Sequence, residues 1–205
     1  MVGLRERFVA AILAGNFADA LAGAHEAKAH GLPFLYEEII AGALTRVGQL
    51  WQEGQISVAD EHVATAVAQS VLACLYPSFP WVETGPKAIV ACVEGEQHAL
   101  GARMAADLLA CDGWNVTFVG ADLPVDALVD LALREAPVFV GLSVAMPDRL
   151  PSAREAVARL RRTAPGCKVL VGGRAVTTEG VPVLDADMIA RSATSAVEAV
   201  RPWKP

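Results

Sequence analysis

The chain has 205 residues, 54% of them hydrophobic, and a formal charge of -6. That is enough to bury one large core or two small ones, and the acidic balance argues against direct binding to nucleic acid, which wants a basic face. No apolar run approaches the length of a membrane span. Residues 1–7 are charged and then amphipathic, without the apolar core and cleavage site of a secretory signal. A cytoplasmic protein with no membrane partner is expected. Cys74, Cys92, Cys111 and Cys167 are scattered, form no Cys-x-x-Cys pair, and are expected to be buried, reduced thiols.

Residues 3–76 read as helical throughout. Leu4, Phe8, Ile12 and Leu13 share one face at helical spacing. Gly15-Asn16 interrupts, and Asn16 with Asp19 resembles a cap for a helix over 17–30. Gly31-Leu32-Pro33 breaks that helix. A third run over 34–52 carries Leu35, Ile39, Leu44, Val47 and Trp51, and Gly54 ends it. Ser57 caps a fourth over 58–75, with Asp60 at the third helical position. Short connections between four helices predict an antiparallel four-helix bundle over 1–76.

Residues 77–86, rich in proline, read as a linker. The pattern then alternates. Strands are predicted over 87–93, 115–119, 138–144, 168–171 and 188–190, and helices over 99–111, 125–134, 150–163 and 193–200, with a weak one near 178–183. That order is an α/β fold, a doubly wound, five-stranded parallel sheet of the flavodoxin or Rossmann-like kind over 87–205, with helices on both faces.

The first strand runs into Val93-Glu94-Gly95-Glu96-Gln97-His98-Ala99-Leu100-Gly101. Glu96, Gln97, His98 and Gly101 thus sit where a strand's carboxyl end meets a helix, the edge at which open α/β sheets bind ligands. A histidine with a carboxylate two residues earlier looks like a metal ligand with its orienting partner. Taken alone, it fits a satisfied loop histidine equally well. Two further features point the same way. After Gly101 come 41 residues and then Ser143-Val144-Ala145 at the end of the third strand, and after Ala145 come 26 residues and then Gly172-Gly173 at the end of the fourth. Small residues at strand ends leave room for a flat or elongated group.

His98-x-x-Gly101, Ser143-x-Ala145 and Gly172-Gly173, at this spacing, resemble the signature of cobalamin-binding domains, Asp-x-His-x-x-Gly, Ser-x-Leu and Gly-Gly. The resemblance covers residues 87–205. It implies that His98 is the lower axial ligand of cobalt in place of the cofactor's benzimidazole, whose tail threads past Ser143, Val144 and Gly172-Gly173. Glu96 stands where aspartate is usual, which lengthens the arm, and Ala145 where leucine is usual, which reshapes the packing around the tail.

In the helical half, Trp51-Gln52 is followed after nine residues, counted from Trp51, by Glu61-His62. Core packing for Trp51 and a solvated first turn for Glu61-His62 would explain these residues by themselves. Beside the cobalamin signature, the set resembles the Trp-x9-Glu-His motif of adenosylcobalamin-dependent photoreceptors of the CarH and LitR type. That resemblance implies Trp51 against the adenosyl group, Glu61 on its ribose and His62 in local or inter-subunit polar contacts. Gln52 replaces the histidine usual there, so cobalt ligation through that position after illumination is not expected.

The expectation is an adenosylcobalamin-binding light sensor rather than an enzyme, acting in transcription regulation through a homo-oligomer or a separate regulator protein. These photoreceptors usually carry a DNA-binding domain, and this acidic chain, beginning with the bundle, is not expected to repress by itself. The alternatives are a corrinoid protein carrying methyl groups for a methyltransferase, or a cobalamin carrier, with methylcobalamin or hydroxocobalamin bound instead. His25 and His30 sit poorly on one helical face and are expected at the surface.

Overall fold

The structure, a computed structural model, describes residues 2–81, 84–177 and 184–205. The chain divides into two compact units, Met1–Phe79 and Pro80–Pro205. The helix expected near 178–183 lies outside the described residues.

The first unit packs α1 (Val2–Leu13), α2 (Phe17–Lys28), α3 (Gly42–Gln52) and α4 (Val58–Leu75) against one another as a bundle. Its local signals work as expected. Asn16 Oδ1 accepts the Asp19 N–H at 3.1 Å. Gln55 N–H reaches Leu50 O at 2.8 Å and Gly54 N–H reaches Trp51 O at 3.0 Å, the paired bonds that close a helix at a glycine. Ser57 and Asp60 form a reciprocal capping box, with bonds of 3.2 and 2.8 Å.

Two features depart from expectation. Phe34–Ala41 is π-helical and runs directly into α3. The wider turn buries Tyr36 and Ile40 beside Leu35 and Ile39, then Ala43 and Val47. Leu44 is only half-buried and Trp51 is exposed, so the core stripe expected through both is shifted. Tyr76–Ser78, where the expected bundle meets the expected linker, instead turns back on the bundle. Phe79 meets Tyr36 edge to face at 6.0 Å, and Lys28 Nζ bonds Ser78 O at 3.2 Å. Cys74 is exposed, unlike the buried Cys92 and Cys167.

The second unit holds β1 (Lys87–Cys92), α5 (Ala99–Cys111), β2 (Asn115–Gly120), α6 (Val125–Glu135), β3 (Phe139–Ser143), α7 (Leu150–Thr163), β4 (Lys168–Gly172), β5 (Met188–Ala190) and α8 (Ala193–Val200). All strands are parallel, in the order β2-β1-β3-β4-β5. The connections from β1 and β3 leave in opposite directions, which opens a crevice outside their carboxyl ends.

Alternation along each strand sorts side chains onto two faces. Ile89, Ala91, Val93, Val140, Leu142, Val144, Val169 and Val171 pack against α6 and α7 through Leu128, Ala132, Ala153, Val157 and Leu160. The other face carries Val90, Cys92, Phe139, Gly141, Ser143, Leu170 and Gly172, under α5 and α8. At its amino end that face is filled by aromatics. The fully buried Trp114 meets Phe139 edge to face at 4.8 Å, and Phe139 meets Trp203 at 5.6 Å.

The C-terminal turn that brings Trp203 in is held by charge. Asp112 Oδ1 accepts from Arg201 Nη2 at 2.8 Å, and Asp112 Oδ2 accepts from Lys204 Nζ at 3.0 Å. Partial burial pushes the Asp112 carboxyl up, but Arg201 and Lys204 outweigh it and hold it below the usual range. A carboxylate with a lowered folded pKa contributes stability above its unfolded value of about 3.9 and loses it as pH falls through the folded one. Trp203 fluorescence is therefore expected to titrate below about pH 4 in the native chain. In Asp112→Asn that transition is expected to be absent, with the turn loosened at neutral pH.

Candidate functional site

The loop between β1 and α5 is held from both flanking strands. On the β2 side, Asp122 Oδ1 accepts the Gly95 N–H at 2.7 Å and Oδ2 accepts from Gln97 Nε2 at 3.0 Å. The Asp122 N–H reaches Glu96 O at 2.9 Å. Asp122 adopts a left-handed φ of 52°, a cost that these three bonds offset. On the β3 side, Glu96 spans the crevice. Its Oε2 accepts the N–H groups of Ala145 at 2.8 Å and Met146 at 2.9 Å. Its Oε1 lies 2.9 Å from the His98 backbone N–H and 2.6 Å from His98 Nδ1.

Glu96 is only 1% exposed. Burial raises its pKa, but the backbone and ring N–H of His98 and the amides of Met146 and Ala145 outweigh that and hold the carboxyl below its ordinary range. An ionised carboxylate only accepts, so in the neutral ring Nδ1 carries the hydrogen and Nε2 keeps its lone pair. The His98 side chain is 62% exposed. The result is a pre-oriented single nitrogen donor at the carboxyl edge of the sheet. Among the described residues, no group of three or more His, Cys, Asp or Glu is placed to hold a metal ion. A metal at His98 would thus draw its other donors from a ligand of its own.

Beside this loop runs a row of small residues. The strand register aligns Cys92, Ser143, Gly172 and Ala190 in one row across β1, β3, β4 and β5. All four are small, and they stand on the same face that Trp114, Phe139 and Trp203 fill at the opposite end. A Cβ added at Gly101 would meet nothing within 4 Å. At Gly173, with φ of 109°, a Cβ would lie 2.2 Å from Val144 O, so the chain can pass there only as glycine. Burial, reinforced by the Glu96 charge, pushes the Cys92 thiol up to about 12, so it is a small neutral wall and no thiolate ligand.

The expected site residues therefore divide. Glu96, His98, Gly101, Ser143, Gly172 and Gly173 surround one edge. Ala145 contributes its backbone N–H, and Gln97 is tied to Asp122. The Val144 side chain points into the α6/α7 core, away from the row. Sequence reasoning missed Asp122, the Met146 amide, Cys92 and Ala190. An aspartate just after the second strand was the available signal for Asp122; the others depend on which strands are neighbours.

In the helical unit, Trp51 closes α3 with its side chain 46% exposed, and Gln52 is exposed beside it. The capped turn to α4 puts Glu61-His62 at the same end of that helix pair. Glu61 Oε2 lies 2.7 Å from His62 Nδ1, and Oε1 accepts from Thr65 Oγ1 at 2.9 Å. His62 thus makes a local polar contact that fixes the carboxylate.

Residues 86–201 match the family model described as B12 binding domain, and residues 4–76 match a second model with the same description. The chain belongs to the B12-binding family. It is 32% identical over 141 residues to the HTH-type transcriptional repressor CarH of Myxococcus xanthus, covering 68% of this chain and 47% of the repressor. This chain thus spans about half the length of that relative. It is 25% identical over 200 residues to dimethylamine corrinoid protein 1 of Methanosarcina acetivorans, covering 95% and 94% of the two chains. The solved monomethylamine corrinoid protein of Methanosarcina barkeri has the same fold, with a TM-score of 0.82 at 19% identity over 97% of both chains. Among the described residues no helix is long and apolar enough to cross a membrane.

The B12-binding assignment agrees with the geometry. A corrinoid brings its own ring of nitrogen donors, so a single outward-facing nitrogen, which His98 offers beside the row of small residues, would fit it. Gly173→Ala is expected to combine left-handed strain of about 1–3 kcal/mol with a backbone clash. It should lower the melting temperature by at least about 2–4 °C per kcal/mol lost. Gly101→Ala, in open space within a helix, is expected to leave the melting temperature of the cofactor-free protein unchanged or raised. Differential scanning calorimetry distinguishes the two.

Proposed function

We propose that this protein is an adenosylcobalamin-binding light sensor. His98 Nε2 takes the lower axial position of cobalt, with its tautomer set by Glu96. Ser143, Gly172 and Gly173, with Cys92 and Ala190, receive the benzimidazole tail. Trp51 and Glu61 hold the adenosyl group, and His62 keeps the Glu61 carboxylate in position. Bound adenosylcobalamin supplies a light-labile cobalt–carbon bond. Loss of the adenosyl group would withdraw contacts that favour one state of the bundle, which makes the chain a ligand-biased switch. Gln52 offers no imidazole, so after light the cobalt would take water, His62 or another histidine in place of the adenosyl group. The change of state would be passed on through a homo-oligomer or a separate regulator.

The observation that carries this reading is the exposure of Trp51. A core indole would be buried; this one is presented at the bundle end where Glu61 is held by two hydrogen bonds. A second reading, a corrinoid protein carrying methyl groups for a methyltransferase, is supported by the match over nearly the whole dimethylamine corrinoid protein. That function needs His98 and the row of small residues but has no use for a carboxylate aimed at a ribose.

The test is an absorption spectrum of protein loaded with adenosylcobalamin in the dark, freed of excess cofactor, and recorded before and after green light. A histidine-ligated spectrum that changes irreversibly, with a shift in elution volume on a sizing column, is the expected result. Tighter retention of methylcobalamin than of adenosylcobalamin would favour the carrier. His98→Ala is expected to lose the histidine-ligated spectrum with far-ultraviolet circular dichroism unchanged. Trp51→Ala should weaken the preference for the adenosyl form without abolishing corrinoid binding.

A further inference from the structure

We infer that Glu96 is a positioning residue that joins two loops into one unit: one carboxylate oxygen sets His98, and the other holds the loop after β3. The consequence is that the pose of His98 and the conformation of residues 145–149 respond to each other. This deepens the reading of His98 as a cobalt ligand and rests on it for its functional meaning, but the coupling is a property of the chain without cofactor.

The division of labour is explicit in the bonds. Oε1 serves the backbone N–H and Nδ1 of His98, and Oε2 serves the N–H groups of Ala145 and Met146. Four donors match the accepting capacity of one carboxylate. Because the group is buried, an oxygen stripped of its donors cannot fall back on water, so neither loop moves without a cost to the other. An aspartate would be shorter by about 1.5 Å, one carbon–carbon bond. Holding His98 at 2.6 Å, it would leave the amides of Ala145 and Met146 at roughly 4 Å, beyond hydrogen-bond range. The glutamate at this position is therefore what permits the second attachment.

The loop after β3 also comes close to the β1 loop at a second point. Pro147–Arg149 forms a tight turn, closed by Arg149 N–H on Met146 O at 3.0 Å. The Arg149 guanidinium lies across Gly95, where a Cβ would come within 2.7 Å of Nη1. Met146 meanwhile is 44% exposed. The loop thus presents an apolar side chain to solvent while its backbone is fastened to the carboxylate that orients His98. Coupling of this kind is reciprocal: whatever biases the loop biases the histidine, and the reverse.

The test perturbs each loop and reads the other in cofactor-free protein. Met146→Pro removes one N–H donor to Oε2 and leaves Glu96 and His98 in place; the readout is the tautomer and line width of the His98 ring by nitrogen-15 resonance. His98→Ala removes the ring; the readout is hydrogen exchange at the Ala145 and Met146 amides. The expected result is exchange faster by roughly 5–150-fold at those amides in His98→Ala, and broadened His98 ring resonances, with the Nδ1–H tautomer kept by Oε1, in Met146→Pro. Glu96→Asp is the second variant should Met146→Pro fail to fold, expected to free the Ala145 and Met146 amides while the Nδ1–H tautomer persists. Effects confined to the mutated loop, or unchanged amide exchange in Glu96→Asp, would overturn the inference. Failure of the native chain to retain any cobalamin would instead sink the functional reading, and the exchange data would still decide the coupling.

Discussion

A single buried carboxylate organises the candidate site. Glu96 leaves water, a transfer that costs several kcal/mol for an unpaired charge, and recovers it through four N–H donors from two loops. Everything asked of His98 follows from that arrangement. The carboxylate selects the Nδ1–H tautomer, points Nε2 outward, and ties the histidine's loop to the neighbouring strand's loop at the point where the sheet order reverses. Asp122 does the same from the other side with three bonds. The β1 loop is therefore braced on both flanks before any ligand arrives, which lowers the ordering cost of binding.

The second constraint is a gradient of side-chain size along one face of the sheet. At the amino end Trp114, Phe139 and Trp203 fill the space under the helices. At the carboxyl end stand the small Cys92, Ser143, Gly172 and Ala190. The opposite face, packed by Val, Leu and Ile against α6 and α7, shows no such gradient and behaves as ordinary core. The row depends on strand register, since a one-residue slip of β4 would carry Gly172 to the other face.

The helical unit departs from simple periodicity in its third run. A regular helix over 34–52 would continue the stripe from Leu35 and Ile39 through Leu44 to Trp51. The Phe34–Ala41 segment is π-helical instead; beyond it Ala43 and Val47 are buried, Leu44 is half-buried, and Trp51, at the end of α3, is exposed. The indole that periodicity would bury is thus exposed.

Local chemistry determined much of this protein by itself. Asn16, Gly54 and Ser57 with Asp60 mark helix ends because caps are satisfied within a few residues. The runs of the second unit fall where strands and helices form, because burial on both faces of a parallel sheet leaves an apolar signature in each strand. The candidate ligand was legible too, since Glu96, His98 and Gly101 share one loop and their spacing from Ser143 and Gly172 is carried in the chain. Only the tertiary structure decided who the partners are. Glu96 meets Ala145 and Met146 from some fifty residues away, and Cys92 and Ala190 join Ser143 and Gly172 only through the order β2-β1-β3-β4-β5. Backbone amides carry no sequence signal, and the identity of a neighbouring strand is a non-local fact, so the bonds that orient the histidine and the row of small residues appear only once the sheet is assembled.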